Sequence, residues 1–222
     1  MQIGIIGSGN IGGTLTRLLA AMGHEVAVSH SGPPETLAPL IEESGGHARA
    51  CTVVDAARFG DVVILAIPWR NRDALPAGLL KGKIVIDAMN PYSSDGSILD
   101  LGDRTSSEMV RDVLPGARLV KAFNTIFAHD LATLGDRDLP LEERIASFIA
   151  GDDAQANRVV AELVWDLGFA PVITGSLREG GRKQEPGSPV YTKPLRLAHA
   201  TKLLGMRPAE SHQAAAELGH PE

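Results

Sequence analysis

The sequence predicts an α/β protein, a doubly wound and mostly parallel sheet followed by a short C-terminal loop–helix extension. Three observations lead there. Short apolar runs alternate with helically spaced apolar positions along residues 1–175, the pattern of repeated βαβ units. Two runs, Val62–Ile67 and Ile84–Ile86, are apolar without interruption, as strands covered on both faces must be. A glycine-rich turn stands at the first strand–helix junction.

Ile3–Ile6 is the first predicted strand, and residues 11–22 follow with Ile11, Leu15, Leu18, Leu19 and Met22 at helical spacing. Glu25–Val28 reads as a second strand, Pro34–Glu43 as a helical segment and Ala48–Cys51 as a short third strand. The two apolar runs supply the fourth and fifth strands, and Leu119–Ala122 and Ile145–Ile149 the next two. Asp152 or Asp153 can cap a helix carrying Val159, Val160, Leu163, Val164 and Leu167, which Gly168 ends. Ala170–Ile173 closes the alternation. Ser176–Pro194 then reads as a long loop, and residues 195–204 as a short helix. The expected organisation is one domain over 1–175, an extension over 176–204 and a flexible tail over 205–222. Because such an extension has little with which to build a core of its own, a homodimer is expected.

Composition narrows the partners. With 21 Lys and Arg against 27 Asp and Glu, the net charge is −6 and there is no basic block, which argues against nucleic acid or an anionic membrane. Val62–Trp69, the longest apolar run, is far below the ~20 residues that span a bilayer. Cys51 stands alone, and no Cys/His spacing suits zinc, so neither an internal disulfide nor a metal site is expected. The first residues lack a basic, cleavable leader, and the expected location is the cytoplasm.

The turn Gly7-Ser8-Gly9-Asn10-Ile11-Gly12 reads G-x-G-x-x-G directly after a strand and at the start of a helix. That is the context in which the pattern binds a dinucleotide, and it makes the fold Rossmann-like. Gly7 permits the tight turn, Gly9 admits the pyrophosphate, and Gly12 lets helix and strand pack closely. The second strand ends in Ser29-His30-Ser31-Gly32, with no carboxylate before Glu35. An acidic residue there would bond the ribose hydroxyls of NAD. Its absence favours NADP(H), with Ser29, Ser31 and Thr36 as hydroxyl donors and His30 as a charge or a stacking ring.

Three further motifs, Ala66-Ile67-Pro68-Trp69, Asp87-Ala88-Met89-Asn90-Pro91 and Lys121-Ala122-Phe123-Asn124-Thr125, carry a resemblance. With the glycine turn, the chain resembles the NADPH-dependent oxidoreductases of the coenzyme F420:NADP type and the reductase domain of the STEAP metalloreductases. The resemblance runs from residue 2 to about residue 175. It implies that Ile67, Pro68 and Trp69 border the nicotinamide and that Asn90 and Asn124 face the same crevice. Trp69 is equally readable as a packing residue. Members commonly carry an Arg where this chain has Gly32, and deazaflavin-using members can carry a His where Asn124 stands.

The chemistry suggested is hydride transfer between NADP(H) and a flavin-like or deazaflavin acceptor such as F420, since both partners carry hydride and little acid catalysis is needed. Reduction of a small carbonyl or imine is a second reading. It requires a proton donor, and no Tyr-x-x-x-Lys pair exists; His129, just past Asn124, is the candidate. A non-catalytic NADP(H) sensor is a third. Arg178, Arg182 and Lys183 lie on a loop that either grips an acidic coenzyme tail or is simply solvated, and Tyr191 could close over the crevice.

Overall fold

The computed structural model describes residues 1–206, so most of the tail reading for 205–222 lies outside the described residues. The chain packs into two compact units, residues 1–99 with 109–118, and residues 100–108 with those from 119 onward.

The first unit holds β1 (Gln2–Ile6), α1 (Asn10–Ala21), β2 (Glu25–Ser29), α2 (Ala38–Glu43), β3 (Ala48–Ala50), α3 (Val53–Phe59), β4 (Val62–Leu65), α4 (Ala77–Leu80) and β5 (Ile84–Asp87). Their spatial order is β3-β2-β1-β4-β5, and every pairing is parallel. Ile3 therefore stands between Val26 and Val62, and Ile5 between Val28 and Ile64. All of these side chains are buried, which explains the unbroken apolar runs. From β1 the chain builds outward first through β2 and β3, then on the other side through β4 and β5. That reversal is a topological switch point, and the turn after β1 sits at it.

The helical segment expected over 34–43 divides into a 3-10 turn, Pro34–Leu37, and α2. Pro34 and Pro39 each stand in the first turn of their piece, where a missing N–H costs nothing. In α3, the Thr52 side chain accepts the Asp55 amide at 3.1 Å, a cap that overrides the strand preference of Val53-Val54.

The second unit holds the first turn of α5 (Ser106–Val113), β6 (Arg118–Lys121), α6 (Ala128–Thr133), β7 (Ala146–Gly151), α7 (Ala154–Asp166), β8 (Ala170–Gly175), α8 (Glu179–Arg182) and α9 (Leu197–Leu203). β7 runs antiparallel to β6 and parallel to β8, with α7 as the crossover. Asp153 caps α7 by accepting the Ala156 amide at 3.0 Å, while Asp152 accepts the Leu177 amide at 3.0 Å and fixes the chain beyond β8.

The stretch 176–194 is more ordered than the loop expected from its sequence. Its Gly180 and Gly181 lie buried in α8, and a Cβ at Gly180 would come within 2.7 Å of Thr174 Oγ1. The helix forms because glycines let its backbone press onto β8, which helix propensity does not reveal. α9 lays Leu197 and Ala200 onto Phe148 and Val172. The extension thus buries its apolar side within its own chain and does not need a second subunit for that purpose. Among the described residues, no helix is long and apolar enough to cross a membrane.

Candidate functional site

In the first unit the glycine turn is held from behind. The Gly7 amide donates to Ser29 O at 2.9 Å, and Gly7 has φ +108°, a conformation that excludes L side chains. A Cβ at Gly7 would strike the Ala66 carbonyl, and one at Gly12 would strike the Gly7 carbonyl. Those two glycines are required by the protein's own packing. Gly9 is different: its φ is −68°, and nothing lies within 4 Å of where its Cβ would be. The missing side chain leaves a cradle that the protein does not fill.

α1 opens at Gly9 with no side-chain cap and no acidic residue in its first turn, whereas Thr52 and Asp153 close α3 and α7. The first-turn amides and the positive end of the helix dipole therefore face the cradle, an arrangement that favours an anion. These residues fit the pyrophosphate of a dinucleotide.

At the end of β2, Ser29 is fully buried and its hydroxyl donates to Ile5 O at 3.1 Å. The side chain holds β1 and β2 together. His30 folds back over the turn, with Nε2 3.0 Å from Pro33 O and 2.7 Å from Thr36 Oγ1. Gly32 N donates to His30 Nδ1 at 3.4 Å, an arrangement that places the ring proton on Nε2. Ser31 is exposed. At the ends of β4 and β5, Ile67 is half-buried, Pro68 exposed and Asn90 half-buried. Trp69 is only 3% exposed, and the Arg72 guanidinium sits 3.8 Å over its ring. Because β1, β2, β4 and β5 are parallel, the residues of the turn, Ser29–Ser31, Ile67–Trp69 and Asn90 all gather at the carboxyl edge of one sheet, where such sheets bind ligands.

In the second unit Asn124 follows β6. It is buried, and its Nδ2 donates to Gln184 O at 2.8 Å. Phe123 beside it has φ +60°, and Thr192 has φ +54° while its amide donates to Thr125 O at 2.8 Å. Two non-glycine residues in the left-handed region mark a segment held by its surroundings. The holding groups escaped the sequence reading. Fully buried Lys121 donates to Ser106 Oγ at 3.0 Å, and Ser106 gives its amide and hydroxyl to Glu185 Oε1 at 2.7 and 2.8 Å. Thr105-Ser106-Ser107-Glu108 was the available signal, because Thr105 Oγ1 accepts the Glu108 amide and Glu108 Oε2 accepts the Thr105 amide. That reciprocal pair is a capping box, and it locates the start of α5. His129 is exposed on α6. Arg178 stands 3.8 Å from Glu108, and Lys183 donates to Thr174 O at 3.4 Å.

A model of the family described as NADP oxidoreductase, coenzyme F420-dependent, matches residues 2–91, a span that contains every first-unit residue named above. The metalloreductase STEAP3 of Rattus norvegicus is 30% identical over 181 residues, covering 79% of this chain but only 34% of the relative. The chain thus spans about a third of the length of that larger protein. A solved hypothetical protein from Sinorhizobium meliloti is 35% identical, with a TM-score of 0.80, over 88% of this chain and 95% of that one. The F420-dependent NADP reductase of Methanocaldococcus jannaschii is 32% identical over 162 residues, 69% of this chain and 70% of the relative. On that likeness the chain belongs to the F420-dependent NADP oxidoreductase family.

Proposed function

We propose that this protein is an NADPH-dependent oxidoreductase that moves a hydride between NADP(H) and a flavin-like or deazaflavin acceptor, with coenzyme F420 as the first to test. The observation that carries the reading is the uncapped start of α1 beside a glycine whose open side faces nothing in the protein. When bound, the nicotinamide supplies the hydride. The amides of Asn10, Ile11 and Gly12 would hold the pyrophosphate, and Ile67 and Pro68 would offer the ring an apolar wall. The half-buried Asn90 presents an amide that can orient a carboxamide. Trp69, stacked under Arg72, stiffens the turn that carries Ile67 and Pro68. Asn124 cannot swing freely while it is bound to Gln184 O, so the orienting role implied by the resemblance falls on a side chain already fixed in one rotamer.

The test is anaerobic NADPH oxidation with F420, FMN and FAD as separate acceptors and NADH as the control donor. Turnover with F420 or a flavin, reduced about tenfold or more by Asn124→Ala with NADPH affinity little changed, is the expected result. NADPH binding with no oxidation by any of the three would overturn the acceptor assignment. A carbonyl or imine substrate, or a sensing role, would then be the reading to test.

A further inference from the structure

The second-strand turn poses a question of charge. Nothing from Ser29 to Thr36 carries a fixed cation, and the His30 ring and the Thr36 hydroxyl are engaged within the turn. His30 accepts from Gly32 N and approaches Pro33 O and Thr36, and the Thr36 hydroxyl donates to Pro33 O at 2.8 Å. A ribose 2′-phosphate arriving here needs a cation from elsewhere.

A groove of about 390 Å³ in the first unit supplies one. Its lining includes Ser8, Gly9 and Asn10 of the phosphate turn, Thr36 of the second-strand turn, and Arg17 and Glu43. It therefore joins the pyrophosphate cradle to the turn where the adenosine ribose lies in this kind of sheet. Arg17 is the cation among its lining residues. Side chains on a helix lean toward its N-terminus, and Arg17 does so: its Nη1 lies 3.9 Å from where a Cβ on Gly13 would be, one turn nearer the cradle. Three other cations of the first unit are committed elsewhere. Arg49 stacks on Phe59 and Arg72 on Trp69, and Lys83 donates to the carbonyls of Ala57, Arg58 and Gly60.

We propose that Arg17 is the specificity-determining cation of this protein, pairing with the 2′-phosphate of NADP(H) in place of a cation on the second-strand turn, and that Glu43 competes with the phosphate for it. The inference rests on the dinucleotide reading above. Arg17 Nη1 and Glu43 Oε2 are 3.1 Å apart, with side chains 43% and 59% exposed. An exposed pair of this kind is weakly held. A phosphate dianion offers more charge and a second oxygen for the planar guanidinium, so it displaces the carboxylate. Glu43, left beside an anion, opposes the binding it has lost.

Calorimetric titration of 2′,5′-ADP and 5′-AMP isolates the effect, since the two ligands differ only in the 2′-phosphate. Arg17→Met keeps the aliphatic stem and removes the charge. It is expected to weaken 2′,5′-ADP by about tenfold while leaving 5′-AMP unchanged. Glu43→Gln is expected to tighten 2′,5′-ADP by a fewfold and again to spare 5′-AMP. Equal losses for both ligands in Arg17→Met, or no loss for either, would overturn the assignment. Wild-type protein that binds neither NADPH nor NADH would overturn the dinucleotide reading itself. Wild-type protein that binds both without preference overturns only the role of Arg17.

Discussion

The three glycines of the phosphate turn make a prediction in which stability and binding separate. Gly12→Ala places a methyl on the Gly7 carbonyl, and Gly9→Ala places one in open space. Backbone cannot yield as a side-chain tip can, so the first substitution forces α1 away from β1. Overpacking of this kind costs about 1–3 kcal/mol, which for a chain of this size is a fall in Tm of roughly 2–4 °C per kcal/mol. For Gly9→Ala two small terms oppose each other. An Ala N-cap is worse than Gly by up to about 1 kcal/mol, and the stiffer unfolded chain returns ~0.4–1 kcal/mol. The net change in stability is close to zero. Binding behaves in the opposite way. The new methyl stands between the first-turn amides and the pyrophosphate, and losing one or two charge-assisted hydrogen bonds at ~1.5–3 kcal/mol each weakens NADPH by about tenfold or more. Thermal melts of both variants without ligand, with NADPH affinity from nicotinamide fluorescence, test the pair. A Gly9→Ala protein that melts several degrees low, or binds NADPH within about threefold of wild type, would refute the claim that this glycine is there for a ligand.

Gly32→Arg should tighten NADPH relative to NADH by ~1–3 kcal/mol through a new phosphate contact. Its Cβ would lie 2.7 Å from His30 Cε1, so the ring must rotate off Thr36 first, and an unchanged affinity ratio would mean that the ribose lies elsewhere. Asp95, held by the Ser93 hydroxyl and by the Ser97 amide at 3.0 Å, has its pKa lowered from 3.8 to about 2, with the Ser93 bond as the largest cause. Because the folded value lies below the unfolded one, the turn's contribution to stability is full above about pH 4 and is lost as pH falls toward 2. An NMR titration of this carboxyl should show that midpoint, and Ser93→Ala should raise it. Burial pushes the Cys51 thiol above its usual range, Asp55 adds to the shift and Arg49 opposes it. Native protein at about pH 8 should accordingly resist iodoacetamide and react only on unfolding; prompt native labelling would contradict the burial.

Much of the fold was legible because its signals are local. The runs around Val63 and Val85 sit between neighbours on both sides, and a doubly covered strand has to be apolar throughout. Asp153 and Gly168 bracket α7 with caps that any sequence reader can find. The glycine turn was equally readable, since its pattern and the strand and helix that flank it are contiguous in sequence. What stayed hidden depends on distant residues. The chain from Lys121 through Ser106 to Glu185 joins positions far apart in sequence, and Asn124 is fastened by a carbonyl that lies sixty residues on. α8 was missed because glycines argue against a helix until β8 is seen beneath them. His30 was read as a charge or a stacking ring, and the hold of Pro33 O and Thr36 on that ring could not be read from residue types alone.

The open end of α1 also ties folding to metabolism. A helix with no cap of its own is completed by whatever anion settles there, so the cofactor acts as a missing piece of secondary structure. At a concentration a hundredfold above its Kd, a ligand of this kind adds about 2.7 kcal/mol to the folded state. Cells rich in NADPH would hold this chain folded more of the time and expose it less to proteolysis. Cells drained of the nucleotide would clear it faster, so the abundance of the protein would follow the supply of its own reductant.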